Sequence, residues 1–251
     1  MTEILTTQAD GILTITFNRP DKKNALTSAM YATLADALEA AESDAAVRVI
    51  LFAGNGGAFT AGNDLQDFLN NPPQGDNTPV FRFLRAISTA SKPLVAAVTG
   101  VAVGVGTTML LHCDLVYVGA GAKLSLPFVN LALVPEAASS LLLPAMIGHH
   151  RAAELLLLGE PFDAETARAY GIANAVFPDA RVVPEAMLIA RKLAAKPPTA
   201  MKLTKQLLKR TKGDVAGQMA VEGEHFRSQL TSAEAREAMT AFFEKRPPKF
   251  G

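Results

Sequence analysis

Short β-branched and apolar runs alternate with helical patterns along the first half of the chain, and this alternation constrains the fold most. Residues 12–17 (ILTITF) alternate apolar side chains with Thr, the pattern of a half-buried strand. Arg19-Pro20-Asp21 ends the run, and Met30, Leu34, Ala37, Leu38 and Ala41 then recur at helical spacing over about 28–42, with Thr27 as N-cap. Residues 47–52 (VRVILF) predict a strand covered on both faces, broken by Gly54-Asn55-Gly56-Gly57. A second unit repeats the order: a helix over 78–91, a strand over 94–98, a glycine-rich bend over 100–106 running into a helix that ends near His112, and a strand over 115–118. Such βαβ repetition predicts an α/β fold with a parallel sheet and covering helices. The polar stretch 70–77, with two prolines and one glycine, reads as a mobile loop.

The C-terminal third is helical in pattern. Helices are expected over 153–158, 164–170 (closed by Gly171) and 184–195, and then from Thr199, about Asp214 and Ser232. The boundary falls near Pro197-Pro198. Residues 1–196 make the α/β core, and 197–251 a helical region too short for its own core, which packs on its own body or on a neighbouring subunit. Lys202, Lys205, Lys209, Arg210 and Lys212 read as a solvated helix face, with a phosphate contact as the alternative.

Charge and cysteine content narrow the function. The chain has 24 Lys plus Arg against 24 Asp plus Glu, so bulk electrostatics give no support for binding nucleic acid or an anionic membrane. A single cysteine, Cys113, excludes an internal disulfide and a Cys-rich metal site; among apolar neighbours it reads as a buried, inert thiol. No basic start leads into an apolar run, and no apolar stretch reaches about 20 residues. A cytoplasmic protein with no membrane partner is therefore expected. His112, His149, His150 and His225 lack metal-ligand spacing, so no metal is expected, and GxxxxGK[ST], HExxH, GxSxG and GxGxxG are all absent.

Two glycine-rich segments each follow a strand, GNGGAFTAGNDL over 54–65 and GVAVGVG over 100–106. Glycine at a strand end lets a ligand approach the main chain. Side by side, the two turns have two readings: tight backbone packing, or one N–H from each aimed at a single oxygen, an oxyanion hole. Glu136, after Pro135 and the apolar 131–134, also has two: a carboxylate in a first helical turn with Pro135 at N1, or a general base in an apolar pocket.

Taken in order, these segments resemble the enoyl-CoA hydratase/isomerase (crotonase) superfamily almost end to end. The resemblance is carried by Phe17-Asn18-Arg19-Pro20 with Lys23-Asn24-Ala25-Leu26, by AFTAGNDL over 58–65, and by 93–106 followed by Cys113-Asp114. Leu126-Pro127, residues 159–171 and Phe242-Phe243-Glu244-Lys245-Arg246 complete it. It implies a crotonase-like spiral of ββα units with a C-terminal helical region, acting on an acyl-CoA thioester. Assembly as a homotrimer or a dimer of trimers is implied, with no cofactor beyond the coenzyme A of the substrate. The implied oxyanion donors are the N–H groups of Asn63 and Val105. Lys23, Ala25, Leu26, Ala61, Gly62, Asp64, Leu65, Gly104, Phe128 and Lys245 are the implied contacts to coenzyme A or acyl chain.

Family hydratases use two glutamates; this chain has Thr108 and Phe128 at those places. The segment 130–140 around Glu136 instead resembles the peroxisomal-type 3-enoyl-CoA to 2-enoyl-CoA isomerases, which carry a single catalytic glutamate there. The implied reaction moves a double bond from 3-enoyl-CoA to 2-trans-enoyl-CoA, with Glu136 taking a proton at C2 and returning it at C4. The alternatives are a hydratase with Asp64 as second carboxylate (although Asp64 reads as a turn residue), another enolate reaction, or a catalytically silent acyl-CoA binder. Acyl length depends on how Phe68, Phe81, Leu84 and residues 70–77 pack.

Overall fold

The computed structural model describes residues 2–209 and 215–247. β1 (Ile4–Ala9) and β2 (Ile12–Phe17) form a hairpin through Asp10-Gly11, both at positive φ, as a two-residue hairpin turn requires. α1 (Ser28–Ser43) follows, with the Thr27 side chain accepting from the Met30 N–H. β3 (Val49–Gly54) runs parallel to β2; α2 (Leu65–Asn70) and α3 (Pro79–Thr89) then lead to β4 (Leu94–Val98), parallel to β3. Next come β5 (Val101–Val103), α4 (Val105–Thr108) with a 3-10 turn over Met109–His112, and β6 (Leu115–Gly119), parallel to β4. β7 (Lys123–Ser125), α5 (Ser139–Ile147), α6 (His149–Leu158), β8 (Phe162–Asp163), α7 (Ala164–Ala169) and β9 (Ala175–Phe177) follow. The main sheet has the order β1-β2-β3-β4-β6-β9, parallel except at β1, and β5, β7 and β8 form a separate small sheet.

Alternation along the strands sorts the core into two layers. Ile50 and Phe52 point into the larger layer, shared with Met30, Leu34 and Phe83 of α1 and α3. Val49, Leu51 and Ala53 point the other way and pack, with Val95, Ala97 and Tyr117, beneath Val182, Ala186 and Ala190 of α8 (Asp179–Ala194). α8 begins at Asp179, ahead of the helix expected from 184: burying Val182 and its neighbours outweighs the one N–H missing at Pro184. α9 (Pro198–Leu208), α10 (Val215–Leu230) and α11 (Ala233–Phe243) complete the chain. Residues 71–77 contain neither helix nor strand, and Arg227 of α10 reaches Asp76 there at 2.9 Å.

The lysine row from α9 is solvated only in part: Lys202 is exposed, and the next two are not. Lys205 is 4% exposed, and its ammonium binds Asp114 at 2.7 Å and donates to the Lys92 carbonyl at 2.6 Å. Lys209, half-buried, points at the carbonyls of Ile87 and Ser88. Arg210 and Lys212, with Asp214, lie outside the described residues.

Candidate active site

The two glycine-rich turns lie against each other. The Thr60 N–H donates to the Val101 carbonyl at 3.0 Å, and the Val103 N–H returns to the Thr60 carbonyl at 3.0 Å. Asn24, fully buried, donates its amide to the carbonyls of Asn55, Ala58 and Phe59, fastening the first turn from beneath. Gly62 makes the approach possible: its φ is +86°, and a Cβ there would stand 2.7 Å from the Val103 carbonyl oxygen.

The N–H groups beside this contact are mostly satisfied. Gly62 donates to the Thr60 hydroxyl, Asp64 to the Leu26 carbonyl and Gly104 to the Ser125 carbonyl. The N–H groups of Asn63 and Val105 have no acceptor among the described residues. Each turn therefore presents one donor, and both residues line the same groove of about 1070 Å³.

The groove brings together most of the contacts the resemblance implied. Ala25, Ala61, Gly62, Asn63, Asp64, Leu65, Gly104, Val105 and Phe128 line it. Three others do not. Lys23 is exposed beside it and accepts the Ala61 N–H at its carbonyl; Leu26 is buried, pairing its backbone with Gly62 and Asp64; Lys245 is exposed. Arg246, next to Lys245, lines the groove instead, as do Phe226, Phe242 and Phe243. Arg19 and Lys22 also line it; Arg19 belongs to the 17–20 segment that carried the resemblance, but neither was among the implied contacts. Arg19 spans Asp64 at 2.6 Å and Glu3 at 3.1 Å.

Asp64 is a turn residue. Its side chain caps α2 by accepting from Gln66 and Asp67. Burial pushes its carboxyl up, but the bond from Arg19, the N–H groups of Asp67 and Gln66, and the Arg19 charge outweigh that and hold it below the usual carboxylate range.

Glu136 stands at a different wall. It is 6% exposed and lines a small cavity of about 20 Å³ with Val80, Phe81, Leu84, Met219, Gly223 and Phe226; Asn63 lines both this cavity and the groove. The Thr108 hydroxyl, fully buried, donates to Glu136 Oε1 at 2.5 Å. The expectation of Pro135 at N1 and Glu136 in the first turn is corrected, because α5 starts only at Ser139. Ala137 and Ala138 both take positive φ, 57° and 55°, which no right-handed helix allows and which costs about 1–2 kcal/mol per residue. The bend is held by the Ser139 N–H and hydroxyl, both donating to the Glu136 carbonyl, and by His112 Nε2–H donating to the Ala137 carbonyl at 2.7 Å.

That histidine has a pH signature. Burial pushes the His112 imidazole down to about 4, with only partial opposition from its bond to Ala137. The native state thus resists a proton that the unfolded chain accepts near 6.5. Stability is unaffected above that pH and falls as pH drops from about 6.5 toward about 4. Between pH 7 and 5 the expected loss from this group is about 2 kcal/mol. Urea unfolding at both values should show the wild type falling further than His112→Gln, which keeps a donor but takes no charge; equal falls would remove His112 as the cause. The neighbouring Cys113 is half-buried, less than the sequence suggested, and its thiol is pushed up to about 12 by desolvation and then by the Asp114 charge.

Among the described residues, no group of three His, Cys, Asp or Glu side chains could hold a metal ion, and no helix is long and apolar enough to cross a membrane.

The sequence pattern described as Enoyl-CoA hydratase/isomerase matches residues 7–251. The peroxisomal enoyl-CoA delta isomerase 3 of Mus musculus is 36% identical over 214 residues, covering 83% of this chain and 67% of its own length. The 2,3-dehydroadipyl-CoA hydratase of Escherichia coli K12 is 32% identical over 255 residues, covering 100% of this chain and 99% of its own. Among solved structures, an enoyl-CoA hydratase/isomerase from Pseudoalteromonas atlantica T6c is 45% identical across 100% of both chains, with a TM-score of 0.95.

Proposed function

The chain belongs to the enoyl-CoA hydratase/isomerase family, an acyl-CoA enzyme of the crotonase superfamily, and on that premise we propose that it converts 3-enoyl-CoA to 2-trans-enoyl-CoA with Glu136 as its one acid–base group. The observation that carries this reading is the placement of Glu136: a buried carboxylate on the wall of a cavity that shares Asn63 with the groove. With the thioester oxygen on the N–H groups of Asn63 and Val105, the acyl chain runs past Asn63 toward Glu136; the space there holds about one water, so Phe81, Leu84 and Met219 must part to admit the chain. The carboxylate takes a proton from C2, electrons move into the thioester to give a dienolate, and the same carboxyl returns the proton to C4. The two N–H groups hold the charge that develops on oxygen. A proton shuttle of this kind needs no metal, flavin or nicotinamide; coenzyme A arrives as part of the substrate, its phosphates met by the positive charge of Lys22 along the groove.

Hydration would require a second group to position and activate water. Thr108 spends its hydroxyl on Glu136, Phe128 is apolar, and Asp64 is tied to Arg19. Purified protein given 3-hexenoyl-CoA should form 2-hexenoyl-CoA without 3-hydroxyhexanoyl-CoA, resolved by chromatography. Rapid conversion of 2-hexenoyl-CoA to the hydroxyacyl product would overturn the isomerase reading.

The size of the cavity sets an expectation for the acyl chain. Phe81, Leu84 and Met219 line it, and a Cβ on Gly223 would come within 3.3 Å of the Phe81 ring. Short substrates should be favoured. Replacing Phe81 by Ala should raise turnover of 3-dodecenoyl-CoA relative to 3-hexenoyl-CoA by about tenfold or more, as opening an apolar pocket does. Equal wild-type rates on both, unmoved by Phe81→Ala, would take the acyl chain out of this cavity.

A further inference from the structure

Asn63 carries a side chain that its oxyanion N–H does not need. We propose that Tyr31 is a positioning residue of the oxyanion hole: its hydroxyl holds the Asn63 side-chain oxygen away from the unbonded N–H groups of Asn63 and Val105. The inference rests on the oxyanion reading given under Proposed function. Asparagine side chains readily offer their oxygen to nearby backbone N–H groups, closing local turns. Here the nearby donors with no acceptor are the two that must receive the thioester oxygen. An untethered carboxamide would compete for them.

The tether is built into the core. Tyr31 lies on α1, is 0% exposed, and packs its ring against Phe83 at 5.5 Å. Its hydroxyl donates to Asn63 Oδ1. Burial, and then the Glu136 charge, raise the phenol well above its ordinary range, so it remains a donor at any working pH. The backbone at this point is fixed independently: Leu26 donates to the Gly62 carbonyl and accepts from the Asp64 N–H, both at 2.8 Å. What Tyr31 controls is therefore the carboxamide and not the turn.

A double-mutant cycle on the full chain tests this, using Tyr31→Phe in the native and the Asn63→Ala backgrounds. Two readouts separate the claims: turnover of 3-hexenoyl-CoA, and ultraviolet absorbance of the acetoacetyl-CoA enolate on the protein, which reports the hole whether or not a double bond moves. Tyr31→Phe is expected to lower kcat about 10- to 100-fold with KM little changed, and to lower enolate absorbance. In the Asn63→Ala background the same change should cost less than about twofold. Equal losses in both backgrounds would make Tyr31 a packing residue and overturn the proposal, as would an unchanged Tyr31→Phe. Tyr31→Leu, which also has no donor, replaces it in the same cycle if Tyr31→Phe does not fold. Wild-type protein that binds the enolate but leaves 3-hexenoyl-CoA unchanged would sink the isomerase reading alone; no enolate would remove the hole and the role of Tyr31 together.

Discussion

Replacing Glu136 by Gln is expected to lower conversion of 3-hexenoyl-CoA by about 10³-fold, within the range a positioned acid–base group supplies. Both proton transfers of the proposed reaction run through this carboxyl, so its amide has no way to carry the proton from C2 to C4. Affinity for saturated hexanoyl-CoA should stay within about twofold, because the groove, the two N–H donors and the cavity are untouched. Gln is nearly isosteric and still accepts the Thr108 hydroxyl, so the bend held by Ser139 and His112 is retained. Turnover above about a tenth of wild type would remove Glu136 from the mechanism. Lost turnover together with lost hexanoyl-CoA binding would mean that Glu136 shapes the cavity instead.

Much of this site was legible in the sequence, for a physical reason. Two chain segments that approach more closely than side chains permit are marked directly by glycine, and Gly62 against Val103 is the instance; the proposed oxyanion hole rests on that approach. Elements with full periodicity were equally readable: α1 with its Thr27 cap, and the buried runs of β3, β4 and β6. Elements lacking a period were not. β1 buries only Ile4 of its six residues, and β5, β7, β8 and β9 have two or three residues each, so neither carries enough alternation to register. Lys23 and Lys245 were implied by family position, yet the residues facing the groove are their neighbours Lys22 and Arg246. A one-residue rotation of a turn or helix end decides that, and no local pattern encodes it. The bend at Ala137-Ala138 also left no trace, since alanine is an ordinary helix former and its left-handed conformation here is imposed by tertiary bonds.

The lysine row on α9 shows the same limit and sets the second large expectation. A solvated face and a buried clamp read alike along a helix, because lysine can lay its stem across apolar surface in either case. In the fold, Lys205 reaches Asp114 beneath α9, and the same Asp114 oxygen accepts the Leu94 N–H at 2.7 Å, so one carboxylate fastens both the start of β4 and α9. Asp114→Asn keeps an acceptor for Leu94 but leaves the ammonium of Lys205, 4% exposed, without its counter-charge. Removing one partner of a buried pair typically costs about 3–5 kcal/mol, and because the Asp114 side chain is 25% exposed the lower end, about 3 kcal/mol, is expected. In a chain of this size that corresponds to a fall in Tm of about 10 °C. Adding Lys205→Met should restore much of the loss, since a neutral apolar side chain of similar length then fills the site. Calorimetry on the three proteins settles the matter: recovery in the double variant identifies the stranded charge as the cause. If Asp114→Asn matches wild type, the pair contributes nothing and α9 is held by its packing alone.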